Sequence, residues 1–176
     1  MRILVLGGIR SGKSQWAETA LADAVGDAPA RYLATGRVPD ADTDWAARVS
    51  AHRRRRPAHW STCETTDVAT QLRTYPDLPT MIDDVGGWLT ATMDRHDAWS
   101  GGSVTADTDE LVAAVADFRS TLLVVSPEVG LSVVPATAVG RRFADALGTL
   151  NQRLARVCDR VVLVVAGQPV TVKEPV

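Results

Sequence analysis

Three observations predict an α/β fold in which a mostly parallel sheet carries helices on both faces. Short apolar runs alternate along the chain with stretches whose apolar residues recur at helical spacing. The run Thr121–Ser126 is apolar almost throughout, as expected of a strand covered on both faces. Between the first strand and the first helix lies Gly7-Gly8-Ile9-Arg10-Ser11-Gly12-Lys13-Ser14.

That loop has the Gly-x4-Gly-Lys-Ser spacing of a phosphate-binding P-loop, in the strand–loop–helix setting the motif requires. Glycines let the backbone turn tightly enough to aim successive N–H groups at phosphate oxygens. The helix that follows presents its positive end to the same anion. In this reading Lys13 reaches the β- and γ-phosphates and the Ser14 hydroxyl ligates Mg²⁺. A phosphate loop defines a substrate class and leaves the reaction open, because kinases, ATPases and switches share it.

The elements follow in order. Ile3–Leu6 is the first strand, and a helix from Gln15 to Val25 stops at Gly26-Asp27-Ala28-Pro29. Tyr32-Leu33-Ala34 is a short strand leading to Thr35-Gly36. A helix is predicted from about Thr43 to His52, with Trp45, Val49 and His52 on one face. Trp60–Glu64 reads as a strand, and Asp67–Tyr75 as a helix with Val68 and Leu72 inward. Pro79–Asp84 is the next strand, which Gly86-Gly87 breaks before a helix beginning at Trp88. His96–Thr105 reads as a mobile surface loop, and Asp107 as the cap of a helix carrying Leu111, Val115 and Phe118. After the strand Thr121–Ser126 comes Pro127-Glu128-Val129-Gly130, then a long helix with Val139, Phe143, Leu147, Leu150, Leu154 and Val157 inward. Val161–Ala166 is the last central strand and Val170–Lys173 a possible edge strand.

The length, 176 residues, suits a single domain with a real core. A net charge of −2 supplies no global field toward nucleic acid or membrane, so any basic site is local. No run is long and apolar enough for a membrane span, and Met1-Arg2 leads straight into a strand without a signal peptide. Cys63 and Cys158 have no metal-ligand spacing and form no disulfide framework. A reduced, cytoplasmic protein is expected.

Two further constellations could carry chemistry. Asp83 ends an apolar strand, where a carboxylate can complete the Mg²⁺ site; a helix-capping or solvated aspartate is the plainer reading. Asp84 should point to the opposite face and be structural. His52-Arg53-Arg54-Arg55-Arg56-Pro57 admits three readings: a solvated or anion-binding patch, a nucleic-acid contact, or phosphate-neutralising arginines beside a histidine that attacks phosphorus. Glu64 and Glu128 lie near the carboxyl ends of strands, where ligands bind in such sheets. His59 and His96 have no partner at a telling spacing, and Arg141-Arg142 reads as a solvated helix face.

Taken together, these motifs resemble the adenosylcobinamide kinase / adenosylcobinamide-phosphate guanylyltransferase family. The phosphate loop is similar to that family's Gly-Gly-x-Arg-Ser-Gly-Lys-Ser. Ala34-Thr35, Asp42-x-Asp44-Trp45-x-x-Arg48-Val49, His52-Arg53-x-x-Arg56-Pro57-x-x-Trp60-x-Thr62-x-Glu64, Glu128-Val129-Gly130, Gly140-Arg141-x-Phe143-x-Asp145, Leu150-Asn151-Gln152 and Val164-Val165-Ala166-Gly167-x-Pro169-x-x-x-Lys173 extend the likeness in order over nearly the whole chain. Family members commonly have Glu-Cys where this chain has Asp83-Asp84, Asn where it has Pro127, and Gly where it has Ser132.

The resemblance implies a RecA-like P-loop fold, a homotrimer, and adenosylcobinamide and its phosphate as substrates, with no nucleic-acid partner. It implies phosphorylation of adenosylcobinamide by ATP or GTP with Mg²⁺, then transfer of GMP from GTP through a guanylylated histidine, which here is His52. Arg53, Arg54, Arg55, Arg56, Glu64 and Asp83 would join the P-loop in binding nucleotide, and Ala34-Thr35-Gly36 would line the site. The alternatives are another P-loop small-molecule kinase or ATPase, and a nucleotide-gated nucleic-acid-binding module.

Overall fold

Strand β1 (Arg2–Gly7) is short and apolar enough to need cover on both faces, and the chain places it inside a seven-stranded sheet of order β3-β2-β4-β5-β1-β6-β7. The computed structural model describes residues 1–35 and 57–175. Its strands are β2 (Ala30–Ala34), β3 (Trp60–Glu64), β4 (Thr80–Asp83), β5 (Leu122–Pro127), β6 (Arg160–Val165) and β7 (Gln168–Lys173). Its helices are α1 (Lys13–Val25), α2 (Val68–Thr74), α3 (Val85–Arg95), α4 (Thr105–Ala116) and α5 (Ala138–Val157). Every neighbouring pair of strands is parallel except β6 and β7. The chain leaves β1 for β2 on one side and later passes from β5 to β6 on the other, so a ligand crevice is expected at the carboxyl edge of the sheet beside β1.

Side chains alternate across the sheet into two cores. Ile3, Val5, Tyr32, Met81, Leu123 and Val125 face α1, which presents Ala17 and Leu21. Leu4, Leu33, Ile82, Leu122 and Val124 face the other way, against Leu72 of α2, Leu89 of α3, Leu111 of α4 and Leu147 of α5. The predicted helix over 43–52 lies outside the described residues.

Three local expectations are corrected. Gly86-Gly87 does not break the chain before a helix; both lie inside the first turn of α3, whose N-cap is Asp84. Glycine is needed there for packing: a Cβ on Gly86 would stand 2.8 Å from Pro127 Cγ. Asp107 is not a cap. Val104 occupies that position without a side-chain bond, and Asp107 in the first turn instead pairs with Arg95 and with His96, whose Nε2 lies 2.8 Å from its carboxylate. A negative charge in the first turn still suits the helix dipole. The segment 96–104 is tied down: Ala98 is buried, Trp99 Nε1 donates to Asp94 at 2.6 Å, and its ring stacks on Phe143 at 6.3 Å.

Lys173 shows what the end of the chain does. Its ammonium donates to the carbonyls of Ala155 at 2.9 Å and of Cys158, at the carboxyl end of α5. A cation there satisfies orphaned carbonyls and complements the helix dipole. Both cysteines are free; burial pushes the Cys158 thiol up to about 12, which keeps it protonated at neutral pH.

Candidate active site

The phosphate loop is shaped by backbone that only certain residues tolerate. Gly12, at φ 91°, stands at the N-cap of α1 in the left-handed region open to glycine, and Arg10 also has positive φ, 56°. Ser11 N–H donates to Gly8 O at 3.3 Å, closing the turn, and Lys13 Nζ donates to the same carbonyl at 3.2 Å. The Lys13 ammonium is therefore folded back over the loop, on the side where β- and γ-phosphates would meet it.

The loop is braced from below by a turn that sequence reasoning did not connect to it. β6 and β7 are joined by the two residues Ala166 and Gly167, both at positive φ, 51° and 77°, as in a type I′ hairpin. Gly167 N–H donates to Ser11 O at 2.7 Å, and a Cβ on Gly12 would lie 3.1 Å from Gly167 Cα. Gly12 and Gly167, from two distant segments, thus answer one packing requirement.

Across the crevice, Asp83 ends β4 on the α1 side of the sheet. Its Oδ1 accepts from Ser14 Oγ at 2.9 Å, and its Oδ2 accepts from the Tyr32 hydroxyl. Tyr32 was missed by sequence reasoning, although a tyrosine inside an apolar strand must find a partner for its hydroxyl when buried. The pair Ser14–Asp83 offers only oxygen donors, the set that Mg²⁺ takes beside phosphates and water. Among the described residues there is no cluster of three or more His, Cys, Asp or Glu that could hold a metal by itself.

The row Glu64, Ala34, Asp83 runs in register across the carboxyl edge of β3, β2 and β4. Thr35 is buried, and its hydroxyl lies 2.8 Å from the Asp83 carbonyl and close to that of Asp84, so it braces the bend that follows β4. Glu128 N–H donates to Gly7 O at 3.0 Å, which brings the β5–α5 loop beside the P-loop strand. Gly36, His52, Arg53, Arg54, Arg55 and Arg56 lie outside the described residues.

Asp84 adopts φ 75° and accepts at 2.9 Å from Gly87 N–H, capping α3. Burial raises its carboxyl pKa and Asp83 adds to the rise, while the Gly87 bond and Lys13 oppose it. A folded-state pKa above the unfolded one means that the native state keeps a proton the unfolded chain releases. Stability then falls as pH rises from the ordinary carboxylate range toward the raised value, and levels off above it. Asparagine also caps helices and tolerates left-handed backbone. Asp84→Asn is therefore expected to melt above wild type at neutral pH and to lose this part of the pH dependence, as thermal melts across pH would read. A lower melting temperature at pH 7 would reject the desolvation argument. Asp84→Ala should instead lose about 1 kcal/mol with the cap.

A Gly-rich loop at a helix N-terminus, with its serine bonded to an aspartate at the end of β4, two strands over from β1, defines a P-loop nucleotide-binding protein. Solved structures agree on that fold: the assembled ATPase EscN of the enteropathogenic E. coli type III secretion system superposes with a TM-score of 0.56 at 13% identity, covering 94% of this chain and 43% of that one. A prototypical type III secretion ATPase from pathogenic bacteria gives 0.55 at 14% identity, over 92% of this chain and 51% of that one. Within that class, the chain belongs to the cobinamide kinase / cobinamide phosphate guanyltransferase family, whose model matches residues 3–172. It is 35% identical to the bifunctional adenosylcobalamin biosynthesis protein CobP of Pseudomonas aeruginosa, over 98% of both chains. It is 34% identical to the corresponding CobU of Salmonella typhimurium, over 98% of this chain and all of that one.

Proposed function

We propose that this chain is a bifunctional transferase that phosphorylates adenosylcobinamide and then guanylylates the product. The observation that carries the reading is the Ser14–Asp83 contact at the mouth of the P-loop, in a chain that matches the family over residues 3–172. In the kinase step the acceptor hydroxyl oxygen attacks the γ-phosphorus of ATP or GTP. The bond to the β–γ bridging oxygen breaks, the nucleoside diphosphate leaves, and the hydroxyl proton goes to base. In the second step a His52 nitrogen attacks the α-phosphorus of GTP and releases pyrophosphate. The acceptor's new phosphate oxygen then takes the GMP and frees the imidazole.

Lys13 and the loop N–H groups hold the triphosphate, and Arg53, Arg54, Arg55 and Arg56 offset charge on the transferred group. Glu64, Ala34, Thr35 and Gly36 border the nucleotide from the β2–β3 side. Ser14 and Asp83 would hold Mg²⁺, which supplies charge neutralisation on the phosphates. A single domain, cytoplasmic and acting on small molecules rather than nucleic acid, carries both steps. Association as a homotrimer is part of the same reading. Val165 and Val170, exposed on the β6–β7 ribbon, are apolar surface of the kind a subunit contact covers.

Incubation with α-labelled GTP and Mg²⁺ tests the scheme. The wild-type protein should take up covalent label that is acid-labile and alkali-stable, as a phosphoramidate is. Adenosylcobinamide phosphate should discharge it, and His52→Ala should take up none. Wild-type protein that never labels would remove the guanylyltransferase and leave the kinase. Salt-sensitive binding to DNA or RNA without any substrate labelling would favour the nucleic-acid module.

A further inference from the structure

Away from the triphosphate crevice, an open-sided cavity of about 530 Å³ lies between α5, the segment 128–135 and the β6–β7 ribbon. Its volume is within the range that takes a drug-sized organic ligand. Val129, Val134, Pro135, Ala144 and Val172 supply much of its wall, and Leu6 its floor. The rim is unusually apolar for free surface: Leu131 is 78% exposed, Val133 92% and Val134 74%. Such a run beside a concavity marks a place where something apolar sits.

The charges around the cavity identify what does not sit there. Arg141 donates to the carbonyls of Pro135 at 3.0 Å and Ala136 at 2.8 Å. Lys173 is spent on the end of α5, and Glu128 Oε1 accepts from Gly130 N–H. Both cations in the lining are thus committed to backbone carbonyls, so no cation is offered to a second phosphate group. Asp145 and Gln152 add polar groups to an otherwise apolar lining. That combination fits a largely apolar molecule edged with amides and carrying no acidic group.

The cavity also reaches the reaction. Glu128 lines one end and is one hydrogen bond from Gly7, at the root of the P-loop. Buried Asn151, also in the lining, accepts from Ser126 Oγ at 2.6 Å and donates to Pro127 O at 3.0 Å, tying α5 to β5.

We propose that this cavity binds one edge of the corrin ring of cobinamide, with the hydroxyl-bearing arm carried past Glu128 toward the P-loop. The inference rests on the function proposed above, since the family description names cobinamide as the acceptor. A corrin ring matches the apolar wall, its peripheral amides match Asp145 and Gln152, and its lack of acidic groups matches the committed cations.

Gly148 gives a clean probe. It lies on α5 in the cavity lining, and a Cβ built there meets nothing within 4 Å. Gly148→Leu should fill the cavity without straining the helix, because replacing a mid-helix glycine favours folding. Val134→Asp, at an exposed site, is a second probe that places charge on the wall without disturbing the core. In steady-state assays with adenosylcobinamide and GTP, each variant should raise the KM for cobinamide at least tenfold and shift the KM for GTP less than twofold. Equilibrium dialysis of cobinamide, followed by corrin absorbance, should show the same loss. Unchanged cobinamide KM in both variants would overturn the inference while leaving the enzyme assignment standing. A change in oligomeric state with normal cobinamide KM would also overturn it and assign the face to a second copy of the chain. Wild-type protein that neither binds nor turns over cobinamide would bring down the functional reading, and this inference with it.

Discussion

Asp83→Asn is expected to lower kcat for both phosphoryl and guanylyl transfer on the order of 10²–10³-fold, the range seen when one preorganised electrostatic contact is removed. The carboxylate stands between two hydroxyls, accepting from Ser14 Oγ at 2.9 Å and from Tyr32. Asparagine has the same size and keeps one acceptor oxygen, and either hydroxyl can turn to accept from its amide. The substitution therefore removes the charge and spares the packing. Thermal stability should change by about 1 kcal/mol or less, the worth of one exchanged hydrogen bond. The requirement for Mg²⁺ should rise together with the fall in kcat. Rates within threefold of wild type at limiting Mg²⁺ would remove Asp83 from the triphosphate site. Tyr32→Phe is the graded companion: it keeps the charge and loses one donor, so its rate should fall between the two.

Gly7→Ala is expected to damage the fold and the site together. A Cβ at Gly7 would stand 2.4 Å from Ser11 Oγ and 2.8 Å from the Val164 carbonyl. The serine can turn away, but the carbonyl belongs to the backbone of β6, paired on both sides, and has nowhere to go. Overpacking of this kind costs about 1–3 kcal/mol. The strain falls on the strand that aims the P-loop, so nucleotide affinity should drop at least tenfold as well. Gly8→Ala separates sterics from glycine content, because a Cβ at Gly8 meets nothing within 4 Å and its φ is not positive. Calorimetric melts should show Gly8→Ala near wild type and Gly7→Ala well below it. Equal melting temperatures would reject the steric account.

Much of the sheet was legible from the chain because its strands are short apolar runs and its helices carry a marked periodicity. The long helix read from Val139 to Val157 is α5, Ala138–Val157, and the run Thr121–Ser126 is β5 within one residue at either end. The errors share a cause. Gly86-Gly87 looked like a breaker because a Gly-Gly pair favours turns, yet the smallness of Gly86 was wanted for contact with Pro127, a residue some forty positions away. Asp107 looked like a cap because local patterns favour it, but Arg95 and His96 from the preceding helix claimed its carboxylate.

The P-loop was likewise readable as a spacing, and Asp83 as a carboxylate at a strand end. Both are local patterns with a local physical meaning: glycine for positive φ, and a lysine and a serine opening the first turn of a helix. The phosphate loop and the strand-end carboxylate were therefore determined by sequence alone. Tertiary structure decided the rest. It set Tyr32 against Asp83, braced Ser11 with Gly167 from a hairpin at the far end of the chain, and left a cavity beside α5. Those relations depend on strand order, in which β6 and β2 lie on opposite sides of β1. No local propensity encodes that order, because it emerges only when the apolar faces of all the elements are buried at once.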